Sequence, residues 1–166
     1  LWERHQLQAS QLTSWSISGK MAIRHSQQSG SGTLNWKQQQ NEFDIHFSGP
    51  LGQGTVRLIG QPGFVELTTN QLQASAASAE LLMLEQLGWS VPLEQLLWWI
   101  RGLPAPDSPF QIILNDHSLA YQIDQSGWRL NYLNYQTGAE GYPLPQRIKV
   151  YGPELELTLF IRQWHD

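Results

Sequence analysis

The sequence predicts a mainly β (α+β) fold, a strongly curved antiparallel sheet or unclosed antiparallel β-barrel whose concave, apolar face is covered by helices. Three observations carry the prediction. Apolar and polar residues alternate with a period of two through both the first and the last parts of the chain, as in half-buried strands. Turn-forming Gly, Pro, Asn and Ser recur at short intervals between these runs, the spacing of a meander. A leucine-rich helical stretch, about residues 78–101, interrupts the strands midway.

At the N-terminus, Trp2, Leu7 and Leu12 among Gln, His, Glu and Arg permit a short amphipathic helix over residues 1–12. From Trp15 the period changes: Trp15, Ile17, Gly19, Met21 and Ile23 alternate with Ser16, Ser18 and Lys20, which predicts the first strand. His25 to Gly32 reads as a turn-rich break. Strands follow over Thr33 to Gln38, with Leu34 and Trp36, and Glu42 to Phe47, with Phe43, Ile45 and Phe47 on one face. Gly49-Pro50-Leu51-Gly52-Gln53-Gly54 is then a loop with special backbone angles. Further strands are expected at Thr55 to Ile59, Phe64 to Thr68 and Gln71 to Ser75, with a turn at Gln61-Pro62-Gly63.

Ser78 is placed to cap a helix over Ala79 to Leu87, Gly88 to stop it, and Pro92 to begin a second segment running to Arg101. Leu81, Leu82, Leu84, Leu87, Leu93, Leu96, Leu97, Trp98 and Ile100 give these helices more apolar surface than one buried stripe needs. Strands resume at Gln111 to Leu114, Leu119 to Asp124, Gly127 to Tyr135, Arg147 to Tyr151 and Leu155 to Trp164. In the last, Leu155, Leu157, Leu159 and Ile161 share a face, and Phe160 stands on the other.

A length of 166 residues suits a single domain over residues 1–166. The net charge of −4 argues against nucleic acid as a partner, because phosphate-backbone binding needs a basic stripe. No cysteine is present, which excludes a disulfide framework, a thiolate metal site and a cysteine nucleophile. No apolar run approaches the roughly 20 residues that cross a bilayer as a helix.

Signals for chemistry are weak. The five histidines (His5, His25, His46, His117, His165) show no metal-ligand spacing and read as solvated or strand-surface side chains, so neither a metal nor a cofactor is expected. Asn115-Asp116-His117-Ser118 groups residue types used in catalysis but reads as a turn between strands. There is no Gly-x-Ser-x-Gly elbow, and the glycine loop at 49–54 lacks the Lys-Ser/Thr ending of a phosphate loop. The chain therefore reads as a binding protein and not an enzyme. Adjacent helical residues point about 100° apart, so Trp98 and Trp99 cannot both face one core, and one of them is expected at a cavity or a wet surface. Leu51, between Pro50 and Gly52 at a loop apex, has few neighbours to cover it.

Taken together, Gly49-Pro50-Leu51-Gly52, Gly60-Gln61-Pro62-Gly63, Val91-Pro92-Leu93, Trp99-Ile100-Arg101-Gly102-Leu103-Pro104, Gly127-Trp128 and the closing strand to Trp164 resemble the LolB family of outer-membrane lipoprotein receptors. These motifs are individually short, but they run in family order along nearly the whole chain. The resemblance implies an unclosed β-barrel with helices over a hydrophobic cavity. It also implies a receptor that accepts acylated lipoproteins from the periplasmic carrier LolA and inserts them into the inner leaflet of the outer membrane. Leu51, on the loop with Pro50, corresponds to the family's protruding leucine that promotes membrane insertion. Family members carry a lipidated N-terminal cysteine at the periplasmic face of the outer membrane; this sequence has none, so signal and anchor are expected to lie outside it.

On this reading Ile17, Met21, Leu34, Trp36, Phe43, Ile45, Phe47, Leu157 and Leu159 face the cavity or its floor, and Leu82, Leu97, Trp98 and Ile100 come from the helical cover. Some of these belong to ordinary core, and periodicity leaves the division open. The protein is expected to act as a monomer. A periplasmic fatty-acid or lipid-binding protein of similar fold, without a delivery role, is the alternative; a lipid hydrolase using Asp116 and His117 and a filled-core structural domain stand behind it.

Overall fold

The computed structural model describes residues 1–26, 29–48, 54–138 and 140–165. Eleven strands form one antiparallel sheet, β1 (Ser14–His25), β2 (Ser29–Gln39), β3 (Glu42–Ser48), β4 (Thr55–Gln61), β5 (Phe64–Thr68), β6 (Gln73–Ala76), β7 (Phe110–Leu114), β8 (Ala120–Gln125), β9 (Trp128–Thr137), β10 (Pro143–Tyr151) and β11 (Leu155–His165). The helices are α1 (Trp2–Ser10), α2 (Ala79–Leu87) and α3 (Leu93–Trp99). The sheet order β6-β5-β4-β3-β2-β1-β11-β10-β9-β8-β7 is two meanders joined along a seam, where the first strand pairs with the last. β6 and β7 remain edges, so the sheet curves without closing. The helices between the meanders pack over the inner face, and α2 lies on β5 and β6.

Alternation decides which face is inner. Trp15, Ile17, Gly19, Met21 and Ile23 of β1 are buried, as are Leu34 and Trp36 of β2, Val56 and Leu58 of β4, and Leu155, Leu157, Leu159 and Ile161 of β11. These side chains form one core with Leu82, Met83 and Leu87 of α2 and Leu93, Leu96 and Trp99 of α3. The seam holds an irregularity that strand parity does not foresee. The β1–β11 register shifts between Ser18 and Gly19, where Ser18 pairs with Gln163 and Gly19 with Ile161. The bulge turns Trp164 inward, although a strict period of two from Ile161 would point it outward. A Cβ at Gly19 would land on the carbonyl oxygen of Phe160, so the close approach at the seam requires glycine. Trp164 then meets Trp15, with ring centroids 5.2 Å apart, and Trp15 meets Trp36 at 5.3 Å.

Helix ends follow local chemistry. Ser78 Oγ accepts the Leu81 N–H at 3.2 Å, and Gly88 closes α2 in the left-handed region at φ 83°. α3 lacks a cap of its own; Glu80 Oε1 of α2 accepts the Leu93 N–H at 2.7 Å instead. α3 ends at Trp99, and residues 100–102 form a turn in place of a continued helix to Arg101.

Two further expectations are corrected. Residues 29–32, read as part of a break, are extended in β2, where Gly32 pairs with Met21 and Gly30 with Ile23. Pairing with a long β1 overrides the turn preference of Gly and Ser, and the missing side chains leave room opposite two large apolar residues. His5, read as solvated, is 3% exposed. Its Nε2 lies 3.1 Å from the Pro143 carbonyl, and its ring meets Tyr135 edge-on, so α1 is docked on β9 and β10 through a buried histidine. Asn115–Ser118 is a turn as expected: Asn115 Oδ1 accepts from His117 N at 2.8 Å and Leu119 N at 3.1 Å. Among the described residues no helix is long and apolar enough to cross a membrane.

Candidate functional site

A cleft of about 660 Å³ opens where α3 and the start of α2 pass over β2, β3 and β5. Its apolar wall is Trp36 and Phe43 from the sheet, Val65 beside them, and Leu93, Leu97 and Trp98 from α3. Each is placed for a local reason. Phe43 pairs with Gly60 across β3 and β4, and its ring lies over the bare glycine, so it leans along the sheet surface. Trp36 is held by its N–H, which donates to Gln38 Oε1 at 2.9 Å, while Gln38 Nε2 donates to the Gln40 carbonyl at 2.8 Å. The buried Trp36 N–H and Gln38 side chain at the cleft base are thereby paired with each other and with the backbone, so the base makes no hydrogen-bonding demand on a ligand.

The mouth is polar, with Gln61, Gln95, Glu80, Glu94 and Asp107 and neither Lys nor Arg among its lining residues. A volume of this size, apolar within and polar at the rim, suits a ligand that is mostly hydrocarbon.

The two adjacent tryptophans separate as helix geometry requires. Trp99 is fully buried, and its N–H donates to Gln125 Oε1 at 2.8 Å. Trp98 is half-buried and lines the cleft. The Arg101 guanidinium lies 4.5 Å from the Trp98 ring centroid and is itself 3% exposed. It donates to the carbonyls of Leu97, Ala9 and Leu12. The last two lie at and just beyond the C-terminal end of α1, where the helix dipole favours a cation; the Ala9 carbonyl also accepts the Leu12 N–H at 3.2 Å. Burial lowers the Arg101 pKa to about 10, so the side chain stays charged at neutral pH.

Beyond α3, Gln125 of β8 fastens the following loop. Its Oε1 accepts the Ala105 N–H at 2.9 Å, and its Nε2 donates to the Ala105 carbonyl at 2.8 Å and the Ser108 carbonyl at 3.0 Å. Tyr132 donates its hydroxyl proton to the Trp99 carbonyl at 2.6 Å, and burial pushes its pKa up.

Of the thirteen side chains expected at a cavity, the cleft brings together Trp36, Phe43, Leu97 and Trp98. Ile17, Met21, Leu34, Ile45, Phe47, Leu82, Ile100, Leu157 and Leu159 are buried in the continuous core beneath. Val65 and Leu93 line the cleft as well; each sits in an apolar pattern, but nothing in that pattern separates lining from core. Pro50 and Leu51 lie outside the described residues. Among the described residues no group of three or more His, Cys, Asp or Glu is arranged to hold a metal ion.

The sequence profile of the family described as "Outer membrane lipoprotein LolB" matches residues 13–164. The chain belongs to the LolB family. It is 48% identical over 164 residues to an outer-membrane lipoprotein LolB of Pseudomonas putida (strain W619), covering 98% of this chain and 80% of that protein. The LolB of Pseudomonas aeruginosa (strain PAO1) is 46% identical with the same coverage. In fold the chain is similar to a LolA superfamily protein from Nitrosomonas europaea, with a TM-score of 0.57 at 9% identity over 98% of this chain and 92% of the other. A DUF1329 family protein from Desulfovibrio piger gives a TM-score of 0.60 at 9% identity, covering 99% and 91%. Membership in the LolB family and the open curved sheet agree with the resemblance carried by the sequence motifs.

Proposed function

We propose that this chain is a receptor at the periplasmic face of the outer membrane that takes acylated lipoproteins from the carrier LolA into the cleft beneath α3 and releases them into the inner leaflet. The observation that carries the reading is the half-open apolar cleft of about 660 Å³ in a chain of the LolB family. The physical need is clear: each methylene kept from water contributes about 0.8 kcal/mol, so exposing a sixteen-carbon chain during transit would cost roughly 12 kcal/mol. Shielding the chain is the work, and no bond is made or broken. Direction comes from differential affinity, weakest for the donor and strongest for the bilayer.

Release into a bilayer is assigned to Pro50 and Leu51, which come between β3 and β4 in the sequence. A leucine side chain entering hydrocarbon contributes roughly 1.5–3 kcal/mol. The test mixes this chain with lipoprotein-loaded LolA in the absence of any energy source and follows the cargo by pull-down. Cargo should move to this chain, and then to liposomes. In Leu51→Glu acceptance should persist while delivery to liposomes fails; a simple lipid carrier would be indifferent to that change, and cargo that stays on LolA would refute the receptor reading.

A further inference from the structure

We propose that the Trp98 indole is a partition between two hydrocarbon-binding subsites, the cleft beneath α3 and a second groove between α1 and residues 103–106, so that a lipid with several acyl chains places one in each. The proposal rests on the reading that the cleft takes acyl chains. The second groove, of about 400 Å³, is lined by Leu7 on α1, by Leu103 and Pro104, and by Phe110 at the start of β7. Leu7 is 60% exposed and Phe110 45%, so two large apolar side chains from separate elements face one groove uncovered. Glu3 is the charged residue among its lining.

The wall of this groove favours hydrocarbon over a peptide. Pro104 and Pro106 have no N–H. The Leu103 N–H donates to the Trp98 carbonyl at 3.2 Å, and the Ala105 N–H and carbonyl are both taken by Gln125. The 103–106 segment therefore offers no backbone donor, and a peptide laid along it would leave its own carbonyls unpaired on that side. An acyl chain has nothing to satisfy.

Trp98, Ala105 and Pro106 line both spaces. Ala105 is fixed by Gln125 and the Pro106 ring is locked to its own backbone, which leaves Trp98 as the movable part of the wall. The indole N–H of Trp36, Trp99 and Trp164 each donates a hydrogen bond; those of Trp15, Trp89 and Trp98 donate none among the described residues, and of these three Trp98 alone is half-exposed, with room to turn. The ring is held by its stack on Arg101, and Arg101 keeps its three carbonyl partners whether or not the ring stays. A turn of Trp98 about its side-chain torsions would join the two spaces without breaking a hydrogen bond.

The experiment measures binding of two probes, palmitic acid with one chain and a synthetic tripalmitoylated lipopeptide, to the wild-type chain and to Leu7→Asp/Phe110→Asp. Both positions are exposed, and circular dichroism checks that the double variant is folded. The lipopeptide should bind the double variant at least tenfold more weakly, with palmitic acid within twofold of wild type. A lipopeptide with brominated chains should quench tryptophan emission of the wild-type chain more than that of Trp98→Phe, placing hydrocarbon against that ring. Unchanged lipopeptide affinity in the double variant, equal loss of both probes, or equal quenching in Trp98→Phe overturns the partition. Failure of the wild-type chain to bind either probe instead overturns the acyl-cleft reading on which it stands.

Discussion

The two halves of the sheet meet the helical cover in different ways. On the β7–β11 side the contacts are directional: Gln125 grips Trp99 and Ala105, Tyr132 holds the Trp99 carbonyl, and the His5 Nε2 lies within hydrogen-bond distance of the Pro143 carbonyl. On the β2–β6 side, among the described residues, no hydrogen bond joins a strand to α2, α3 or the loop after α3, and the contact is apolar packing of α2 on β5 and β6. The cleft lies on this second side, along β2, β3 and β5. Hydrogen bonds between buried groups tolerate little displacement, whereas apolar surfaces slide and repack at small cost, so the cover is tied along one side and free to adjust along the other. On the proposed reading, in which hydrocarbon chains enter and leave this cleft, the adjustable side is the one that would yield to them.

The largest effect is expected of Gln125→Ala, which strands the Trp99 N–H and both backbone groups of Ala105 in the core. At roughly 1–3 kcal/mol per buried unsatisfied group, we expect a loss of about 5 kcal/mol in urea unfolding, with faster amide hydrogen exchange in α3. Leu67→Ala, on the apolar side, removes a fully buried side chain of β5 and should cost about 3 kcal/mol, while α3 amides keep their relative protection. Equal exchange changes in the two variants would erase the distinction between the halves. Tyr132→Phe deletes one hydrogen bond to the Trp99 carbonyl and should cost about 1–2 kcal/mol by the same measurement.

The smallest effect depends on pH. Burial holds the His5 pKa below its ordinary 6.5, against the opposing hydrogen bond to Pro143. The unfolded chain therefore takes the proton first: this contribution to stability is fully present above about pH 6.5 and is lost as pH falls through that value toward the lower folded pKa. The urea midpoint should drop between pH 7.5 and 5.5, and His5→Gln should flatten that part of the profile. A steeper profile in His5→Gln would mean that other groups tie α1 to β10.

Much of this was legible in the sequence. Period-two alternation located the strands because a sheet with one buried face imposes it at every position, and Ser78 and Gly88 marked the ends of α2 by their backbone chemistry. The Gly-Ser run at 29–32 misled because ladder pairing with β1 outweighs single-residue preference. His5 misled because its burial is produced by β9 and β10, more than a hundred residues away in sequence. For the site, residue type and period could say that Trp36, Phe43, Leu97 and Trp98 turn inward or sideways, and likewise Ile17 or Leu157, but they could not say which of them border open space.

The amino-acid order alone thus set the class of fold, the faces of the strands, the family and the apolar character of the inner face, since these follow from short-range spacing and from the solvent preference of each side chain. Long-range packing set where the core is packed solid and where it gapes, which of Trp98 and Trp99 is pinned, and that Arg101 lies buried against carbonyls of α1 and the residue just after it. Those properties depend on volumes and distances among residues brought together by the seam between β1 and β11, and no local pattern encodes a sum taken over so many distant partners.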